Sequence, residues 1–263
     1  MSTAAKQLRF VVEQLRVNIL SNMEYRISFL VQMVFMVLND VMLLFFWWVI
    51  FQRFDNIAGW GQKDIFLLYA LSAGTYGIAY TIFGNALRLS SLIVEGQLDY
   101  YLALPKDVWL NVLISKSLAS TIGDFVFGVG MCLAIFGFSY KVLLAIVFMM
   151  VASLILISAA TIVHSLSFFM GNAEQIAAVF SESMLSFSLY PISVFSLSVR
   201  ALLYTAIPAA FISFVPVSLL QEFSFGLFSL FLGVAVFGIW LSRRVFYAGL
   251  KRYESGNLVA PRM

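Results

Sequence analysis

Three carboxylates stand where water is scarce. Asp40, Asp124 and Glu182 each lie well inside a long apolar run, where an ionised carboxylate costs about 2.5–3.5 kcal/mol on insertion scales. Each is therefore expected to face protein or water. Two chemistries fit them: a polar wall or proton site along a substrate path, or an interhelical hydrogen bond from a protonated acid to Ser, Thr or Asn, such as Asn39 beside Asp40. His164, the single histidine, stands among Thr161, Ser165 and Ser167 and reads as a hydrogen-bonded packing residue. The single cysteine, Cys132, can form no internal disulfide, and no Cys/His cluster exists to hold a metal. The chain has no His-Glu-x-x-His pair, no Gly-x-Ser-x-Gly elbow and no Gly-x-x-x-x-Gly-Lys-Ser/Thr loop, nor even a Gly-Lys pair. Zinc-assisted or serine hydrolysis and phosphate cradling thus lack their residues, and no catalytic, cofactor-binding or metal-binding residue is assigned.

The elements that must carry these groups are membrane spans. With 62% apolar and 11% charged residues and a mean hydropathy of +0.96, the chain lacks the polar surface of a soluble protein. A net charge of +3 is too small to mark a nucleic-acid binder, so the placement of charge matters more than its sum. A helix needs roughly 20 apolar residues to cross the hydrocarbon core, and such runs fall at 27–51, 64–87, 111–138, 142–170, 175–197 and 223–245. The first lacks a small-residue cleavage site and reads as a span, not a removable signal.

The stretch from Ile176 to Gln221 is too long for one helix; Pro191, Pro208 and Pro216 interrupt it and Arg200 splits it. A seventh crossing over 198–222 would place the termini on opposite sides, although Lys6, Arg9, Arg16 and Arg26 mark one end and Arg243, Arg244, Lys251 and Arg252 the other. That breaks the positive-inside rule. A re-entrant helical hairpin at 198–222, dipping in from the outer face, keeps the crossings at six with both termini cytoplasmic. Arg88, Lys106, Lys116 and Arg262 then also lie inside, leaving Arg53, Lys63, Lys141 and Arg200 outside. Trp47, Trp48 and Trp60 gather at the outer headgroup level.

Two cytoplasmic pieces complete the single 1–263 domain, with a tail at 246–263. Over 1–26, Leu8, Val12, Leu15 and Ile19 recur at helical spacing, the pattern of an interfacial amphipathic helix. The loop 88–110 contains Glu95-Gly96-Gln97-Leu98-Asp99, then Tyr101, Leu102 and Pro105. Gly96 permits a turn, Asp99 sits near the start of a short helix and Pro105 ends it. Apolar Leu98, Tyr101, Leu102 and Leu104 beside Glu95, Asp99, Lys106 and Asp107 suit docking on another protein, or a loop lying flat on its own helices.

Glu95-Gly96-x-Leu98-Asp99 with Pro105 resembles the coupling-loop signature of ABC-2 type exporter permeases. The stretch Tyr190–Leu220, with Tyr190-Pro191, Arg200, Ile207-Pro208 and Pro216, is similar to that family's segment before its last span. Tyr253-Glu254-Ser255-Gly256 resembles the tail of a bacterial subgroup with mostly unassigned substrates, departing from it in the Asn257-Leu258-Val259 that follows. The resemblance implies an inner-membrane permease subunit of an ATP-driven exporter, paired with a second permease copy or a similar permease. ATP and Mg would sit on separate ATPase subunits that grip the coupling loop, and the cargo would be amphipathic, lipid-linked or a small molecule. A proton-coupled secondary transporter using the intramembrane carboxylates is the alternative.

Overall fold

A computed structural model describes residues 3–254, with side chains from Arg9 onward; Ser255 and Gly256 of the tail motif, and the remaining residues to Met263, lie outside the described residues. Among the described residues the chain is helical throughout, apart from an isolated bridge between Ile57 and Trp60.

The helices are α1 (Thr3–Asn22), α2 (Arg26–Phe51), α3 (Gln62–Phe83), α4 (Leu89–Val94), α5 (Leu98–Leu102), α6 (Val108–Ile114), α7 (Ile122–Phe136), α8 (Tyr140–His164), α9 (Ser167–Met170), α10 (Glu174–Ser188), α11 (Leu197–Tyr204), α12 (Phe214–Gln221) and α13 (Phe225–Leu250). Five segments are long and apolar enough to cross a membrane: Arg9–Phe51, Gln62–Val94, Ala119–Phe136, Tyr140–Met170 and Phe225–Leu250. A sixth candidate is the pair Leu197–Tyr204 and Ala209–Gln221, bent by 70° at its break.

Two expected spans differ from the observed helices. The run 111–138 is divided, because α6 stops at Ile114 and α7 starts at Ile122. Partners from distant elements take up the freed backbone groups: the Asn18 side-chain amide donates to the Ile114 carbonyl (2.9 Å) and to Ser117 Oγ (3.2 Å), and Leu118 N–H donates to the Tyr80 carbonyl (3.0 Å). The run 175–197 is helical over only 15 residues, Glu174–Ser188. Pro191 supplies no N–H to continue the helix, and the chain leaves α10 through a 3-10 turn at Ile192–Val194.

α3 and α8 form the centre of the bundle. α3 buries nearly every residue from Ile65 to Ala79, and small residues let α7 lie directly against it. A Cβ at Gly128 would sit 2.5 Å from the Ala70 carbonyl oxygen, and one at Gly77 would sit 2.5 Å from Phe125 N. Such close approach replaces the hydrophobic drive that is absent in lipid. Phe148 packs on Phe228 and Phe231 in the seam between α8 and α13, while Met149 lies against Gly74 of α3. α2 and α13 are peripheral and expose apolar side chains such as Ile27, Phe35, Met42, Phe225 and Val236.

Hydrogen bonds define the two ends of the bundle. At one, Ser193 Oγ donates to the Ala58 carbonyl (2.9 Å), Lys141 Nζ to the Leu220 carbonyl (3.0 Å) and the Gln221 amide to Asp64 Oδ1 (2.6 Å). The segment between α10 and α13 thus begins and finishes at this same end. At the other, Arg243 pairs with Asp107, and Phe168 packs on Phe246 and Tyr253.

Candidate functional site

The surface loop is built on a left-handed turn. α4 stops at Val94, Gly96 takes φ +73°, and α5 follows from Leu98. That φ is open to glycine and strained for most other residues. The turn sends Glu95, Asp99, Tyr100 and Leu102 outward, Tyr100 with 68% of its surface exposed. Leu98 goes the other way. It has no exposed surface and packs with Leu89, Leu92, Ile93, Val112 and Phe246, so its side chain anchors the loop and does not serve as a contact residue. Tyr101 is also turned inward, its hydroxyl 2.9 Å from Ser115 Oγ, whereas Pro105 is exposed.

Two groups absent from the sequence-level site hold this loop. Asn85, 1% exposed, donates to the Val112 carbonyl (2.7 Å) and to Ser115 Oγ (2.8 Å). Asp107 caps α6 by accepting from Leu110 N–H (3.0 Å), while its other oxygen accepts from Arg243 and from the Tyr247 hydroxyl (3.2 Å). The loop is thereby clamped to α13. Tyr253 closes the same corner, and its phenol is pushed up to about 12, first by burial and then by the neighbouring Asp99 carboxylate. Loop, α6 and α13 are therefore tied into one block.

The intramembrane groups fall into two places. Asp40, 6% exposed on α2, accepts from the Tyr69 hydroxyl of α3 (3.1 Å), and its Oδ2 has no partner. Asp124, half-buried on α7, lies close enough to Asp40 for two charges to interact. Asn39 is exposed and makes no part of this interhelical bond. Glu182 and His164 lie elsewhere, lining one cavity between α8 and α10. His164 is bonded to Ser90, on α4, and not to its neighbours in sequence.

Arg200 turns back on its own chain, donating from Nε to the Phe195 carbonyl (2.8 Å) and from Nη2 to the Ser193 carbonyl (2.7 Å). It fixes the turn that leads into α11. Pro208 precedes the 3-10 turn Ala209–Phe211, and Pro216 falls in the first turn of α12, where a missing N–H is tolerated. Tyr204, Thr205 and Pro208 line an apolar groove of about 430 Å³ together with Ser158 and Gly238. Gly238 lies at the middle of α13 and Ser158 in the second half of α8, so the bent pair reaches into the interior of the bundle.

Among the described residues, the fold is that of an all-helical, multi-pass membrane protein with a clamped surface loop. Residues 37–256 match the family described as ABC-2 family transporter protein, and the chain belongs to that family. It is therefore an ABC permease subunit, of a family that works with ATP-binding subunits. No curated protein matches the chain.

Proposed function

We propose that this permease is half of an exporter that crosses the inner membrane six times, with the short α10 as the fifth crossing and both termini cytoplasmic, and that α5 is the handle gripped by a separate ATPase subunit carrying ATP and Mg. One observation carries the reading: the Gly96 turn presents Glu95, Asp99, Tyr100 and Leu102 to the surface while Asn85 and Asp107 fasten the same loop to α6 and α13. An exposed patch on a rigid block is what a lever requires. Closure of paired ATPases around ATP would draw two such handles together and rearrange a pair of permeases, provided nucleotide binding favours one permease arrangement by a differential free energy.

The bent pair α11–α12 is read as a re-entrant hairpin. It is supported by its two ends meeting at one end of the bundle and by its tip lining a groove in the interior of the bundle. The apolar wall of the groove suits an amphipathic or lipid-linked cargo, moved outward.

The test is to substitute Gly96→Val in the full transporter reconstituted in liposomes with its ATPase. A β-branched residue at φ +73° is strained, so the handle should be displaced, and ATP hydrolysis should continue while transport falls about tenfold or more. In parallel, Tyr100→Cys should crosslink to the ATPase subunit, with little background from Cys132, which has no exposed surface. Unchanged transport with Gly96→Val, or proton-driven transport without ATP, rejects the proposal.

A further inference from the structure

α10 carries two exposed carboxylates, Glu174 and Glu182, on one face. Glu174, Ala178, Ser181, Glu182 and Leu185 recur at the spacing that brings side chains to one side of a helix. That side closes a cavity of about 320 Å³ against Tyr80 and Leu87 of the third-helix region and His164 at the end of α8. Eight residues of helix set the two carboxylates about 12 Å apart along the axis. Among the described residues, the ion pairs are Glu13–Arg16 and Asp107–Arg243, so neither Glu174 nor Glu182 is neutralised by a cation of its own chain.

The imidazole supplies an independent sign of a ligand. His164 is 97% buried, being 3% exposed. Its Nδ1 lies 2.9 Å from Ser90 Oγ, and the same hydroxyl lies 3.2 Å from the His164 carbonyl oxygen. Both contacts are hydrogen bonds only when the Ser90 proton goes to the carbonyl and Nδ1–H donates to Ser90 Oγ. In the neutral ring Nε2 then keeps its lone pair; it is buried and has no protein partner, and His164 is part of the cavity wall. Ser181 Oγ is likewise buried and unpartnered.

The wall therefore offers acceptors and negative charge with apolar surface between them, from Leu87, Leu185 and the Tyr80 ring. An anion is repelled. A bare metal ion is unsuited, because among the described residues no three His, Cys, Asp or Glu side chains gather closely enough to hold one. An ammonium group answers both demands, bringing a positive charge for the carboxylates and N–H donors for Nε2, and an aromatic or aliphatic body would lie on the leucines and the tyrosine ring.

We infer that this cavity binds the protonated head of an amphipathic primary amine, the cargo class of the transporter; the inference rests on the permease reading above.

Full-length permease in phosphatidylcholine nanodiscs, probed with tritiated phenethylamine, tests this. Saturable binding is expected, displaced by unlabelled phenethylamine, more weakly by its N,N,N-trimethyl derivative, which keeps the charge but has no N–H, and not by 3-phenylpropionate. Glu182→Gln and Glu174→Gln keep size and acceptor oxygen and should each weaken binding, the pair by about tenfold or more, in protein that elutes as one sharp species. No saturable binding up to millimolar amine, wild-type affinity in the double variant, or equal displacement by the carboxylate overturns the inference. Retention of the ATPase on purification reports on the permease reading separately, so failure of amine binding alone removes only the cargo class.

Discussion

At the scale of single residues, polar side chains in this protein act mainly as fasteners. Asn85 joins three elements at once: it donates to α6 at Val112, shares Ser115 with the Tyr101 hydroxyl of α5, and itself lies in the turn Gly84–Arg88 after α3. Asn85→Ala would remove its buried bonds to the Val112 carbonyl and to Ser115 Oγ together, at a cost of about 1–3 kcal/mol. A clear drop in the thermal midpoint of the detergent-solubilised protein is expected. Asn39→Ala, at an exposed position, should stay within about 0.5 kcal/mol of the parent. Equal midpoints for the two variants would remove Asn85 from its role. The turn at Gly96 was legible in the sequence because glycine and Pro105 punctuate the loop. Asn85 and Asp107 were not, since their partners Val112, Ser115 and Arg243 are set by packing and leave no local pattern.

At the scale of elements, helices meet in two ways: through small residues where backbones touch, and through satisfied breaks where a helix stops early. α3 and α7 show the first. Gly128→Val would drive side-chain carbons into the Ala70 carbonyl and Gly74, and overpacking of this kind costs about 1–3 kcal/mol, more where backbone cannot yield. Gly130→Val, two residues on and on the opposite side of the helix, with nothing within 4 Å of its Cβ, is the matched control. Size-exclusion profiles of the two should separate, Gly128→Val aggregated and Gly130→Val monodisperse; identical profiles would show that α3 and α7 do not approach this closely. The break at 115–118 illustrates what hydropathy conceals. Apolar residues on both sides average over Ser115-Lys116-Ser117, and the groups that make the break tolerable, Asn18 and Tyr80, come from other helices. The shortness of α10 was likewise masked, because Leu189, Ile192, Val194 and Phe195 extend the apolar run past Pro191 without extending the helix.

For the whole molecule, the decisive quantity is the number of times the chain crosses, and that number turns on α11 and α12. If they form one broken span, Leu197 and Phe223 emerge on opposite faces of the membrane; if they form a hairpin, both stay on the outer face. The bonds from Ser193 to Ala58 and from Gln221 to Asp64 hold the two ends of this segment beside the loop between α2 and α3, which favours the hairpin. Leu197 is 82% and Phe223 55% exposed, so cysteines placed there are open to reagent, and Cys132 stays silent. In right-side-out membrane vesicles, Leu197→Cys and Phe223→Cys should both react with a membrane-impermeant maleimide before permeabilisation, and Asp99→Cys only after it. The hairpin also keeps Arg88, Lys106, Lys116, Arg243, Arg244, Lys251 and Arg252 on one face, as the positive-inside rule requires. Labelling of Leu197→Cys and Phe223→Cys from opposite sides would put the two termini on different faces. The loop at Glu95–Pro105 and the acidic face of α10 would then have to be reassigned together, since both depend on which end of the bundle meets the cytoplasm.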